Sequence, residues 1–347
     1  MRKMDEKLSF GSDYTKGAHP QILQRMVQTN MMDTPGYGLD EISGSARRRI
    51  REACACERAT VEFLVGGTQT NAVMIDALLQ SYQGVIAAMT GHISVHEAGA
   101  IEAGGHKVLV LPHQCGKLSA DDVKKYLEDY HNDANHEHMV MPGMIYLSQP
   151  TEYGTLYTKK ELQAFRKICD AYGLSLYVDG ARLAYALACP ENDVMLPDLA
   201  GLCDAFYIGG TKCGALFGEA VVLPDPGRIP GFFTIIKQHG ALLAKGRLLG
   251  IQFDELFRDG LYMRIGRSAI EGAEAIRKAL SEKGYRQCFG SPTNQIFCIM
   301  EKDALKALEE KVEYSFWEKY DDAHTVIRLA TDWGTTEEEI KALTDIL

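Results

Sequence analysis

Apolar residues in this chain recur as short unbroken runs, each closed by glycine or a charged residue and followed by a stretch with helical spacing. Runs at 60–65, 85–89, 107–111, 144–147, 174–178 and 205–208 are too short for buried helices and predict strands covered on both faces, as in a parallel sheet. Between them the apolar period predicts helices at 72–80, around 97–103, at 119–130 and at 159–171. This alternation predicts an α/β fold with a mostly parallel central sheet flanked by helices. Prolines and glycines between 224 and 231 interrupt the pattern after Val221-Val222-Leu223, and a long helical region is predicted from about 232 through 280. Past Gly290-Ser291-Pro292, strands at 295–300 and 325–329 enclose a helix at 303–310, and a last helix starts near Thr336. That tail predicts a small C-terminal α+β domain, which divides the chain into a large domain over 1–250, with the N-terminal segment, and a small one over 251–347.

Composition narrows the class. The 347 residues are 46% hydrophobic and 24% charged, with a net charge of −10, which speaks against a nucleic-acid partner. The cluster Arg47-Arg48-Arg49 with Arg51 reads as an exposed helix face. Arg2, Lys3, Asp5, Glu6 and Lys7 leave no room for an apolar leader or membrane span, so a cytoplasmic protein is expected. Nine irregularly spaced cysteines without a Cys-x-x-Cys pair form neither a disulfide framework nor a zinc site. His131, His136 and His138 lie among Asn and Asp in what reads as a surface loop, and no functional metal is expected.

Two of the apolar runs end in groups of particular chemical use. One enters Asp179-Gly180-Ala181-Arg182 and the other Gly209-Gly210-Thr211-Lys212. Parallel sheets place ligand chemistry at such strand ends. A buried carboxylate at one end and a lysine after the next suit pyridoxal 5'-phosphate, with Lys212 as the Schiff-base lysine and Asp179 on the pyridine nitrogen. Taken singly, Asp179 could be a helix cap and Lys212 a solvated loop residue. The turn Gly66-Gly67-Thr68 between a strand and a helix predicts a phosphate site, because the first amides of a helix lack partners and Gly67 admits close approach. His92, after another strand, can stack on the cofactor ring. Arg182 can reach the ring oxygen or a bound carboxylate, and Arg328, an arginine inside an apolar strand, needs a carboxylate partner from protein or substrate.

Over nearly its full length the chain resembles the low-specificity L-threonine aldolases, within the β-eliminating lyase group of fold-type I PLP-dependent enzymes. The matching stretches, in family order, are Phe10-Gly11-Ser12-Asp13-Tyr14-Thr15, Tyr37-Gly38 with Asp40, Gly67-Thr68-Gln69-Thr70-Asn71, His92 with Glu97-Ala98-Gly99, Asp179-Gly180-Ala181-Arg182, Thr211-Lys212 and Arg328-Leu329. The resemblance implies pyridoxal 5'-phosphate held as an internal aldimine on Lys212, with Asp179 on the ring nitrogen and His92 on the ring face. It also implies that Gly67 and Thr68 hold the phosphate, that Arg182 contacts ring oxygen and substrate, and that Ser12 and Arg328 bind the α-carboxylate. The implied reaction is cleavage of a β-hydroxy-L-amino acid such as L-threonine or L-allo-threonine to glycine and an aldehyde. The chain departs from the family pattern at Cys213, where a glycine is usual, and at Thr151-Glu152, where a Thr-His pair is usual. His92, Glu152 or a water held by either could serve as the base. The alternatives are a β-eliminating lyase or aminotransferase acting on another L-amino acid, a catalytically silent protein of the same fold, and a nicotinamide-linked enzyme. No dinucleotide fingerprint follows the early strands. The resemblance further implies a homodimer or homotetramer, with Tyr37, Lys237, Lys245 and Arg247 as candidates to reach a neighbouring subunit's site.

Overall fold

Seven strands make the main sheet of the computed structural model, which describes residues 7–347. The charged residues Arg2, Lys3, Asp5 and Glu6, on which the reading of the amino terminus rested, lie outside the described residues. The strand order is Thr60–Leu64, Glu219–Leu223, Ala205–Gly209, Ser175–Asp179, Met141–Ser148, Gln83–Ala88 and Val108–Leu111. The last five of these run parallel to one another. Glu219–Leu223 is antiparallel to both of its neighbours. Every residue of 175–179, 205–209 and 219–223 is buried, the consequence of helices on both faces and the reason these segments read as continuous apolar runs. Ile145, Val178 and Phe206 fill the core on one face, whereas Tyr146, Tyr177 and Tyr207 point into the core on the other.

Three expectations change in detail. The helix after the first strand starts at Gly67, not at residue 72, so Gly67 and Thr68 form its first turn behind an extended Gly66 cap. The helix expected around 97–103 is two single turns, His92–Val95 and Ala100–Ala103, parted by positive φ at Ala98 and Gly99. The long helical region is three helices, Phe232–Gln238, Arg247–Leu256 and Leu261–Glu282, and left-handed Gly240, Asp259 and Gly260 supply the breaks.

The C-terminal part carries a four-stranded antiparallel sheet in the order Ser315–Lys319, His324–Ala330, Gln295–Glu301, Arg286–Gln287. Two of these strands, 286–287 and 315–319, were not expected: one is two residues long, and the other is half exposed without clean alternation. Ile276, Ile296, Ile327 and Leu343 form its core, which Leu8 and Phe10 join because Leu8–Ser9 pairs in parallel with Val312–Glu313. The proposed division at 250/251 falls within Arg247–Leu256, and the N-terminal strand pairs across it. Among the described residues no helix is long and apolar enough to cross a membrane, and no cluster of His, Cys, Asp and Glu is arranged to hold a metal ion.

Candidate active site

Parallel register sets the carboxyl ends of Met141–Ser148, Ser175–Asp179 and Ala205–Gly209 side by side. Asp179 therefore opens toward the loop that carries Lys212. Its carboxylate is buried and accepts four hydrogen bonds, from Tyr146 Oη at 2.6 Å, Tyr207 Oη at 2.5 Å, Asn71 Nδ2 at 3.1 Å and the Ala181 amide at 3.0 Å. Burial alone would raise its pKa. The nearby His92 and the donors from Tyr146, Tyr207 and Ala181 outweigh burial and hold Asp179 below the ordinary carboxylate value. Asn71 is itself aimed by Tyr177 Oη at 3.0 Å and also donates to Glu97 at 2.7 Å. Glu97 in turn pairs with His92 Nδ1 at 2.7 Å. Asn71, Glu97, Tyr146 and Tyr207 had been assigned no part in the site. The tyrosines fall inside the apolar runs, and a phenol in a buried strand needs a partner for its hydroxyl.

Lys212 and Asp179 share a cavity of about 200 Å³ whose walls include Gly67, Thr68, Thr211 and Glu219. Among the described residues Lys212 Nζ has no hydrogen-bond or ion-pair partner. Burial, then the charge of Arg182, lowers its pKa against the opposing pull of Asp13, Asp179 and Glu219. That combination yields an amine ready to act as a nucleophile. No side chain caps the helix that starts at Gly67, so its first amides remain open to an anion. A Cβ at Gly67 would sit 3.3 Å from Tyr207 Oη, which leaves little space for any larger residue. Glu219 also had no assigned part. It pairs in register with Leu64 on one side and Gly209 on the other, between the phosphate turn and the lysine loop.

A second cavity of about 560 Å³ shares His92, Glu152, Arg182 and Lys212 with the first and is closed by Gln295, Trp317 and Arg328 from the C-terminal sheet. Among the described residues Arg328 has no carboxylate partner. Its guanidinium donates to the Gly11 carbonyl at 3.0 Å, Ser315 Oγ at 3.1 Å and Gln295 Oε1 at 3.1 Å, while its buried Nε has no acceptor. Burial and the charge of Arg182 push it down to about 10, the condition of a cation waiting for an anion. Arg182 is engaged differently: Nε and Nη2 grip Asp13 at 2.5 and 3.0 Å, and the residue lines both cavities. Ser12 lies next to Gly11 with its Oγ buried and unpartnered, but it is not among the residues that line either cavity. Glu152 accepts from Ser148 Oγ at 2.8 Å and from the His92 amide at 2.9 Å, and burial raises its pKa despite the Ser148 bond. The structure thus brings Gly67, Thr68, His92, Asp179, Arg182, Lys212 and Arg328 onto connected walls and sets Ser12 one residue behind them.

Tyr37 and the distal cations lie elsewhere. Lys237 Nζ sits 4.6 Å from the Tyr37 ring centre, and Arg247 donates to the carbonyls of Met32 at 2.6 Å and Asn30 at 3.0 Å.

A family model described as β-eliminating lyase matches residues 9–310. The low-specificity L-threonine aldolase of Pseudomonas sp. (strain NCIMB 10558) is 29% identical over 350 residues, covering 98% of this chain and 96% of that protein. A solved structure of Leishmania major threonine aldolase superposes with a TM-score of 0.94 at 42% identity, covering 97% of this chain and 98% of that one. Serine palmitoyltransferase of Sphingomonas wittichii has the same fold, with a TM-score of 0.71 at 14% identity over 98% of this chain and 86% of that one.

Proposed function

Because the chain belongs to the β-eliminating lyase family of fold-type I PLP-dependent enzymes, we propose that it cleaves the Cα–Cβ bond of β-hydroxy-L-amino acids of the L-threonine and L-allo-threonine type, releasing glycine and an aldehyde. One observation carries this reading: a partner-free Lys212 amine shares a cavity with a four-donor Asp179 carboxylate, in a chain that matches a threonine aldolase from end to end.

The residues present fit pyridoxal phosphate. Gly67, Thr68 and the uncapped helix start would take its phosphate, Lys212 would hold it covalently, Asp179 would face its ring nitrogen and His92 would lie on its ring. When bound, the cofactor supplies the electron sink for the pair released as the Cα–Cβ bond breaks. Asp179 keeps a proton on the ring nitrogen, because a carboxylate fixed by four donors stays ionised and favours a cation beside it. Arg328 would bind the substrate α-carboxylate, with Arg182 lining the same cavity and the unpartnered hydroxyl of Ser12 next to Gly11 as a further donor. Two groups on this wall can take the β-hydroxyl proton. His92 would use Nε2, since Nδ1 is bound to Glu97; Glu152 would use a carboxyl whose raised pKa makes it a stronger base than an exposed glutamate.

The enzyme is further read as a homo-oligomer in the cytoplasm. Leu23, Val27, Met31 and Leu39 expose apolar surface around the first helix, as an interface would, and a phosphate requires cations that Lys237, Lys245 or Arg247 of a neighbouring copy could supply. Product analysis of the purified protein with L-threonine, L-allo-threonine and L-serine tests the main proposal. Glycine and an aldehyde are expected; a keto acid with ammonia would make it an eliminating lyase, and dependence on an added keto acid a transaminase. Sedimentation at assay concentration tests the oligomer, and an active monomer would overturn it.

A further inference from the structure

Glu219 is a buried titratable group of the small cavity for which the proposed reaction has no use. Its position is fixed three ways. Its backbone pairs with Leu64, two residues before the phosphate turn, and with Gly209, three residues before Lys212. Its Oε2 accepts the Gly210 amide at 3.0 Å. Its side chain lines the same small cavity as Gly67, Thr68 and Thr211. A carboxylate beside a phosphate site is an electrostatic contradiction, since two anions at such range in a buried space repel strongly. The contradiction disappears when the carboxyl carries a hydrogen, because it then offers an O–H donor to an oxygen-rich anion.

We propose that Glu219, as the neutral acid, donates a hydrogen bond to the phosphate of the bound cofactor, so that cofactor binding takes up a proton at this residue. The inference rests on the reading of the cavity as a pyridoxal phosphate site. Its electrostatic setting agrees: burial first, with the negative charge of Asp179 adding to it, holds the carboxyl at about 8, even against Thr211, Lys212 and the Gly210 amide, which favour the ionised form. The other groups that face it are Tyr177, Tyr207, Tyr262 and Cys213. All four are pushed up by burial, Cys213 to about 12, and stay uncharged at neutral pH. The local charge therefore changes only through Lys212, which the native protein and a Glu219→Gln variant share, and Glu219. Asp179 is ionised throughout this range, because its pKa is lowered.

Pyridoxamine 5'-phosphate isolates the effect, since it carries the same phosphate but forms no bond to Lys212. Its binding to the full chain freed of cofactor is to be measured by calorimetry against pH, in buffers of different ionisation heat, for the native protein and for Glu219→Gln. Glutamine keeps an acceptor for the Gly210 amide and an N–H for the phosphate but cannot ionise. Native affinity is expected to fall by about thirtyfold more than that of Glu219→Gln between about pH 7 and 9.5, and native binding above about pH 8.5 to take up nearly one extra proton. The ligand's own titrations are common to both proteins and cancel in the difference. Should the glutamine protein fail to fold, Glu219→Ser supplies a neutral hydroxyl for the same comparison. Equal pH profiles and equal proton uptake would overturn the inference while leaving the cofactor reading intact. A native chain that does not bind the ligand would overturn both.

Discussion

The small cavity holds two buried strand carboxylates, Asp179 at the end proposed for the cofactor ring and Glu219 at the end proposed for its phosphate, and treats them in opposite ways. At the ring end, Asp179 receives four hydrogen bonds, and its pKa lies below the ordinary value although burial pushes the other way. At the phosphate end, Glu219 accepts the Gly210 amide and meets a second acid charge, and it lies at about 8. Burial is comparable, so the charge of His92 beside Asp179 and the larger number of donors to it decide ionisation. An anion at the ring end favours a protonated ring nitrogen; a neutral acid at the other end tolerates a phosphate. Lys212 lines the same cavity and feels both.

The largest effect is expected where the two ends meet. Lys212→Ala should lose covalently held cofactor and at least about four orders of magnitude in turnover while remaining folded. Borohydride reduction of the native protein followed by peptide mapping checks the assignment, and a label on another lysine would remove Lys212 from its role. Breaking the ring end comes next: Asp179→Asn keeps the shape and removes the charge, so turnover should fall on the order of 10²–10³-fold with cofactor still attached. Near-native turnover would show that the four-donor anion has no electronic part to play.

Smaller effects sharpen the contrast with the larger cavity. Glu152→Gln should cost roughly 10²-fold in kcat. The native rate should rise with pH through the raised Glu152 value, and that limb should vanish in the variant; if it persists, His92 is the base. Arg328→Gln should raise KM for the amino acid roughly tenfold to hundredfold with kcat little changed, as loss of a charged hydrogen-bond pair implies.

The last effect is read in stability and not in rate, on the cofactor-free chain. The pKa of Glu219 is raised on folding from its ordinary 4.5 to about 8, so its contribution is complete below the unfolded value and is lost as pH rises through the folded one. Thermal melts should show the native chain losing ground to Glu219→Gln between those two pH values. Parallel melting curves would mean that Glu219 is ionised in the folded chain.

Much of this molecule is legible in the sequence, because period and strand-end chemistry are local properties. Unbroken apolar runs identify the main-sheet strands, and Asp179, Lys212, Gly67 and His92 stand out because each follows such a run. The strand that holds Glu219 was read only from Val221, since a charged residue at its start breaks the apolar pattern; its antiparallel placement between Leu64 and Gly209 is a matter of pairing across more than a hundred residues of chain on one side. The donors around Asp179 come from two strands, a helix and the turn that follows Asp179 itself, and Arg328 reaches the cavity from a different sheet. Residue type and order determine which chemistry the chain can hold. Only the fold decides which acid is ionised and which is neutral, because that depends on how many donors distant segments bring to each carboxylate and how much water they exclude.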